Sequence, residues 1–331
     1  MILKSRPSRV TGPASRSSGG SNVAHQNSLL APSTLLIVSD SSGVGEVRRF
    51  AQAAAEDLGF DETRAGKISI VATELANNLV RHAGGGMIVA RVCQEGESGS
   101  IDLLSLDRGP GMRDVARCLE DGYSTLAGGA GTGLGAIRRL SDTFDIYSVP
   151  GRGSAVLSRF CNATQEKSRI EIGALSLPYP GETVCGDAWQ VDETPMTCCI
   201  AVIDGLGHGI EAGAAARAAV RTVEAHCRRP IEQVLELAHQ ALKPTRGAAI
   251  ALAEISLDSG HIAYAGVGNI VGATASADTL KRMVSFDGTI GHEVWKIKEF
   301  EYSLEPGQVL IMHSDGLKSH WKLDEYPGLL A

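Results

Sequence analysis

Two groups of residues in this 331-residue chain have the types and spacing to do chemistry. The first begins with a row on one helix. Glu74, Asn78 and His82 recur every four residues, which stacks them on one stripe, while Leu75 and Leu79 take the core face. Something polar must sit against such a row. Three glycine segments follow. "DRGPGM", residues 107–112, puts Asp107 at a strand end ahead of Gly109 and Gly111. "GGAGTGLG", residues 128–135, runs through Gly131, Thr132, Gly133, Leu134 and Gly135 into a helix start, where free N–H groups and the helix dipole favour a phosphate. "GRGS", residues 151–154, lies between two strands and reads by itself as a hairpin turn.

The second group is a recurrence. "GETVCGDAWQV" places Asp187 at a strand start, "AVIDGLGHG" ends an apolar strand in Asp204 and Gly205, and "LIMHSDGL" ends another in Asp315. One Asp-Gly is ordinarily a turn. Repeated at the ends of several apolar strands, it is how a sheet gathers carboxylates on hard divalent cations. Near these, His208 suits loop hydrogen bonding as well as ligation, and Asn269 in "AGVGNI" takes a structural or neighbouring role.

The elements that must hold these residues follow from periodicity. "STLLIVSD" predicts a strand, and residues 44–60 space Val47, Phe50, Ala51, Ala54 and Leu58 as a helix face. Asp61 caps a second helix, expected from 62 to about 82 and ended by three glycines. Strands at "MIVARV", "SIDLLSLD", "TFDIYSV" and "SAVLSRF", with a helix over 134–140, complete a domain spanning 35–161. A polar linker, 162–169, leads to a second domain, 170–331, with strands at "IEIGALSL", "TCCIAVID", "AAIALAEISL", "HIAYAGVG" and "VLIMHSD" and helices over 210–226 and 230–242. Residues 1–34, basic, serine-rich and without acids up to position 30, predict a disordered tail.

Bulk properties narrow the function classes. With 43% hydrophobic and 21% charged residues, the chain can bury two cores of roughly 150 residues each. A net charge of −7 argues against nucleic acid as a partner. Apolar runs such as "CCIAVI" fall well short of the roughly 18 residues of a membrane span, so no membrane role is expected. Seven cysteines without a CxxC pair predict neither a disulfide framework nor a zinc site, and point to a reducing cytoplasm.

In order and spacing, the helix row and the three glycine segments resemble the GHKL (Bergerat-fold) ATPases, and "GTGLGAIRRLSDTFDIYSVPGRGSAV" is most similar to the RsbT-like serine kinases of bacterial partner-switching systems, relatives of anti-sigma factors. The resemblance implies ATP with Mg2+ held by Asn78, Glu74 as general base, Asp107 reading adenine, Gly109 and Gly111 beside the nucleotide, and residues 131–135 around the phosphates. His82 has no role in that pattern and is read as structural. Residues 113–128 would be a lid that orders on ATP.

The Asp-Gly strand ends resemble the PPM-type Ser/Thr phosphatases of the SpoIIE/RsbX-like branch. This implies an αββα sandwich in which Asp187, Asp204, the Gly205 carbonyl and Asp315 hold two Mn2+ or Mg2+ ions, and a water between them attacks phosphoserine or phosphothreonine. Relatives continue past the "SDG" strand to a last strand with an Asp-Asp pair, whereas here the sequence stops at "DEYPGLLA", so that strand is expected to be missing. The combined expectation is a two-domain α/β (α+β) protein, kinase and phosphatase, acting on a STAS-domain phosphoprotein of the anti-anti-sigma or stressosome kind in stress-response signalling. A sigma factor or a downstream phosphatase would be further partners. The alternative is an anti-sigma-like binding switch set by ATP, with the second domain an inactive module.

Overall fold

Asp61 sets the geometry of the first unit by capping its main helix: its carboxylate accepts from the Arg64 N–H at 2.8 Å. The structure, a computed structural model, describes residues 2–5, 25–28, 33–95, 98–120, 133–163, 169–276, 278–318, 321–326 and 328. The chain divides into two units, one running from Ala31 to Glu166 with Tyr326–Leu329, the other holding the remainder.

Two short strands, β1 (Ile2–Ser5) and β2 (His25–Ser28), come first in the chain and belong to the second unit. The first unit then runs β3 (Thr34–Val38), α1 (Ser41–Asp57), α2 (Glu62–Asn78), β4 (Gly86–Glu95), β5 (Ser98–Leu106), the single turn α3 (Val115–Cys118), α4 (Gly133–Leu140), β6 (Thr143–Val149) and β7 (Gly153–Cys161). Its five strands form one antiparallel sheet in the order β3-β4-β5-β7-β6. Val47, Ala51 and Ala55 of α1 and Ile68, Val71, Ala72 and Leu75 of α2 pack with Ile88, Ala90, Ile101, Leu103 and Phe160 of the sheet into one core. Burying these helix stripes is the main stabilising term, because short amphipathic helices are marginal alone.

Asp102 sits between the pleats that carry Arg91 and Arg159 on the neighbouring strands, opposite both in register. It accepts from Arg159 Nε at 2.6 Å and from Arg91 Nη2 at 2.5 Å while being only 6% exposed. Burial opposes its charge, but Arg159 and Arg91 outweigh that and hold the carboxyl below the usual range.

The second unit continues with β8 (Ile170–Gly173), β9 (Asp187–Glu193), β10 (Thr197–Gly205), α5 (Gly209–His226), α6 (Ile231–Leu242), β11 (Ala248–Ser256), β12 (His261–Val267), β13 (Val271–Ala275), β14 (Leu280–Arg282), β15 (Phe300–Ser303) and β16 (Val309–His313). They make two antiparallel sheets, β14-β13-β16-β1-β8 and β15-β12-β11-β10-β9-β2. α5 and α6 lie on the six-stranded sheet, where Ala216, Val220, Val223, Val234 and Leu235 pack on Ala201, Ile203, Ile250 and Leu252. On the five-stranded sheet, Trp321 and Leu323 pack against Ala275, Val309 and Ile311, and among the described residues no long helix covers that face.

Two expectations change here. Of the expected tail, residues 2–5 and 25–28 are strands, one in each sheet of the second unit, whereas 1, 6–24 and 29–32 lie outside the described residues. "HQNS" has no apolar alternation, and its pairing with β9 is decided by a sheet edge distant in sequence. The edge of β16 that a missing last strand would leave open is paired: β1 lies antiparallel between β16 and β8, Leu3 opposite Leu310 and Ile172. All seven cysteines are free, as expected.

Because Asp102 has a lower pKa folded than unfolded, its contribution is complete above the unfolded value of about 3.9 and is lost as pH falls through the folded one. Asp102→Ala should destabilise the first unit by about 3–5 kcal/mol in urea, followed by far-UV circular dichroism. Leu3→Pro removes an amide from a strand flanked on both sides. It should cost the second unit about 1–3 kcal/mol, read by the fluorescence of Trp189, Trp295 and Trp321, which all belong to that unit.

Candidate functional site

In the first unit α2 presents Glu74 and Asn78, both half-buried, one turn apart. The first residue of α4 comes against them: a β-carbon on Gly133 would stand 3.1 Å from Glu74 Oε2 and 3.6 Å from Asn78 Oδ1. A glycine there lets helix-start N–H groups approach a carboxylate and an amide. Leu134 packs on the core and Gly135 is buried, which anchors α4 behind this approach.

After Asn78 the helix widens into a π-helical turn, Leu79–Ala83, closed by the Gly85 N–H donating to the Leu79 carbonyl at 2.9 Å. His82 lies within that turn. Burial and then the Arg81 charge lower its pKa.

Asp107 follows β5 and is tied to both remaining glycine segments. Its Oδ1 accepts from the Gly109 N–H at 2.7 Å, and its own N–H donates to the Ser154 carbonyl at 3.0 Å. Gly153, at φ +110°, passes so close that a β-carbon would lie 2.0 Å from the Asp107 carbonyl oxygen. Gly111, at φ +65°, meets the Val149 carbonyl in the same way, at 2.2 Å. The Gly151 N–H donates to Pro110 O at 2.8 Å. Ser148 Oγ accepts from the Met112 N–H at 2.8 Å and pairs with Ser154 Oγ at 2.9 Å. The two serines were not singled out from sequence, although "GRGS" contains one of them. Gly131, Thr132 and residues 121–128 of the expected lid lie outside the described residues; α3 falls within its remainder.

In the second unit Asp187 and Asp204 face each other in register across β9 and β10. Burial, then the charges of Asp187 and Asp315, push the Asp204 carboxyl up to about 7. Burial raises Asp187 as well, against a 2.6 Å hydrogen bond from Ser314 Oγ. Asp315, exposed just beyond β16, is joined to Asp204 by one side chain: Asn269 Nδ2 donates to Asp315 Oδ2 at 3.0 Å and to Asp204 Oδ2 at 3.3 Å. Gly205 has no room for a β-carbon, which would lie 2.1 Å from Ala212 O, and its own carbonyl oxygen lies 3.6 Å from where a β-carbon on Gly186 would stand. His208 is mostly exposed, pairs through Nδ1 with Glu182 at 2.6 Å and stacks on Tyr179 at 5.1 Å; it is held in the loop by those partners.

Two facing carboxylates whose charge is disfavoured first by burial offer hard oxygens that fit a divalent cation. Among the described residues no three Asp, Glu, His or Cys side chains close around one point, so a cation there would draw the rest of its shell from water, backbone oxygen or movement of Asp315. Ser314 and Asn269 were the residues that sequence reading undervalued. Each is adjacent to a motif glycine or aspartate, but only the fold shows what it donates to.

Residues 37–159 match the family model described as histidine kinase-like ATPase domain, and residues 194–323 that described as stage II sporulation protein E (SpoIIE). The chain is 36% identical over 110 residues to the serine/threonine-protein kinase RsbT of Bacillus subtilis (strain 168), covering 33% of this chain and 81% of RsbT. It is 28% identical over 167 residues to the phosphoserine phosphatase RsbX of the same organism, covering 48% of this chain and 82% of RsbX. A crystal structure of RsbX in complex with magnesium aligns at TM-score 0.42 and 27% identity over 44% of this chain and 74% of that one. Among the described residues no helix is long and apolar enough to cross a membrane.

Gly153→Ala must displace the Asp107 backbone, whereas Gly151, at φ +77°, has open space around it. Gly151→Ala should cost only the strain of a positive φ, about 1 kcal/mol, and Gly153→Ala distinctly more, compared by equilibrium unfolding.

Proposed function

Because the chain belongs to the RsbT family of histidine kinase-like ATPases through its first unit and carries a SpoIIE-family domain in its second, we propose that it is a bifunctional partner-switching regulator. Residues 35–161 transfer phosphate from ATP to a serine or threonine of a STAS-domain protein, and residues 170–331 remove it. The observation that carries the reading is the pairing of two separate oxygen-rich centres in one chain: Glu74 and Asn78 beside Gly133, and Asp187 facing Asp204.

In the kinase unit Glu74 accepts the proton of the attacking hydroxyl. Asn78, one turn along, would hold through its amide oxygen the Mg2+ of an Mg-ATP complex, and the N–H groups from Gly133 onward would receive phosphates. Asp107, with Oδ1 occupied by Gly109, has Oδ2 to accept from the adenine amino group.

In the phosphatase unit Asp187, Asp204, the Gly205 carbonyl and Asp315 would hold two divalent ions, Mg2+ or Mn2+. When bound, the ions supply Lewis-acid polarisation of the phosphoryl group and acidify water. The chain's own residues orient the site: Ser314 fixes Asp187, and the in-register strands fix Asp204 opposite it. Carrying opposed activities on one chain keeps both at high effective concentration near one target.

The RsbT and RsbX likenesses support a stressosome or STAS partner as the substrate class. With labelled ATP, Mg2+ and a STAS-domain protein, phosphate should pass to the partner. Glu74→Ala should abolish that transfer while nucleotide binding, read by calorimetry, is retained. Mn2+-dependent release from the phosphorylated partner should fall at least about 100-fold in Asp204→Asn. Neither transfer nor release by the unmodified protein would overturn the proposal.

A further inference from the structure

Asn269 lies where the second unit's chain crosses from one sheet to the other, since β12 belongs to the six-stranded sheet and β13 to the five-stranded one. The carboxylates it joins are divided in the same way: Asp204 ends β10 in the first of these sheets, and Asp315 follows β16 in the second. Its one amide nitrogen reaches an Oδ2 on each, at 3.3 Å and 3.0 Å. The crossover itself is held firmly. The Gly268 N–H donates to Phe286 O at 2.8 Å, Ser285 Oγ donates to Ile270 O at 3.1 Å, and Ile270 is 2% exposed. Gly268, at φ +97°, has no space for a β-carbon, which would stand 2.4 Å from that of Ala249. An exposed amide on a crossover fixed at both ends is a rigid donor.

Building on the phosphatase reading above, we propose that Asn269 is the positioning residue of the cation site, holding one carboxylate from each sheet at the separation a divalent ion requires. Two anions left to themselves move apart, and a neutral amide with two N–H groups holds them together without neutralising either. Ser314 does the same for Asp187. Each of the three aspartates therefore has its Oδ2 engaged by an uncharged donor, and Asp187 and Asp204 also lie within hydrogen-bond reach of one another. Groups that orient ligands from behind typically alter metal affinity by about 10–100-fold. A rival role for the same geometry is a latch that occupies the cation's place and must be expelled; the two differ in sign.

Titrate Mn2+ alone into the full chain by calorimetry, with the unmodified protein, Asn269→Ala and Asn269→Leu, each checked for folding by circular dichroism. The Leu variant keeps the volume and serves if the Ala variant misfolds. Both should bind Mn2+ about 10–100-fold more weakly. In the hydrolysis assay the loss should be recovered by raising Mn2+, which a damaged fold would not permit. Unchanged or tighter binding in folded variants overturns the proposal and leaves the phosphatase reading intact. No Mn2+ uptake by the unmodified protein overturns both.

Discussion

Two like charges set opposite one another on adjacent strands are something a sheet ordinarily avoids, and the second unit is organised around that arrangement. The β9–β10 register fixes Asp187 against Asp204, and a slip of one residue would send both to opposite faces. What surrounds the pair follows from its cost. Ser314 and Asn269 donate into it, and Gly186 and Gly205 bring backbone close enough to add an oxygen.

The first unit meets its requirement by close approach rather than by repulsion. Gly111 and Gly153 let separate turns touch carbonyls near Asp107, and Gly133 does the same for Glu74 and Asn78. The α-helical line runs only as far as Asn78, where a π-helical turn takes over. The Asp102 trio lies on the same sheet and fastens β4, β5 and β7, the strands that lead to Asp107 and to the Gly153 turn.

β1 and β2 precede the ATPase-family unit in sequence yet belong to the two sheets of the SpoIIE-family unit. β1 also pairs along β16, the strand that delivers Ser314 and Asp315.

Most of the elements that position the candidate residues were legible in the chain. Helices α1, α2, α5 and α6 follow from a 3.6-residue apolar period and capping residues, and most strands from β-branched runs, because these are local preferences reinforced by burial of one face. The aspartates at strand ends and the glycine segments were likewise visible, since backbone room and hard-oxygen donors demand particular residue types. Other features were settled only in three dimensions. The pairing of Ile2–Ser5 and His25–Ser28 and the reach of Asn269 across two sheets depend on partners far away in sequence. A four-residue polar strand or a single amide has no periodic signature, and its role is fixed by whichever edge or charge the folded chain places beside it.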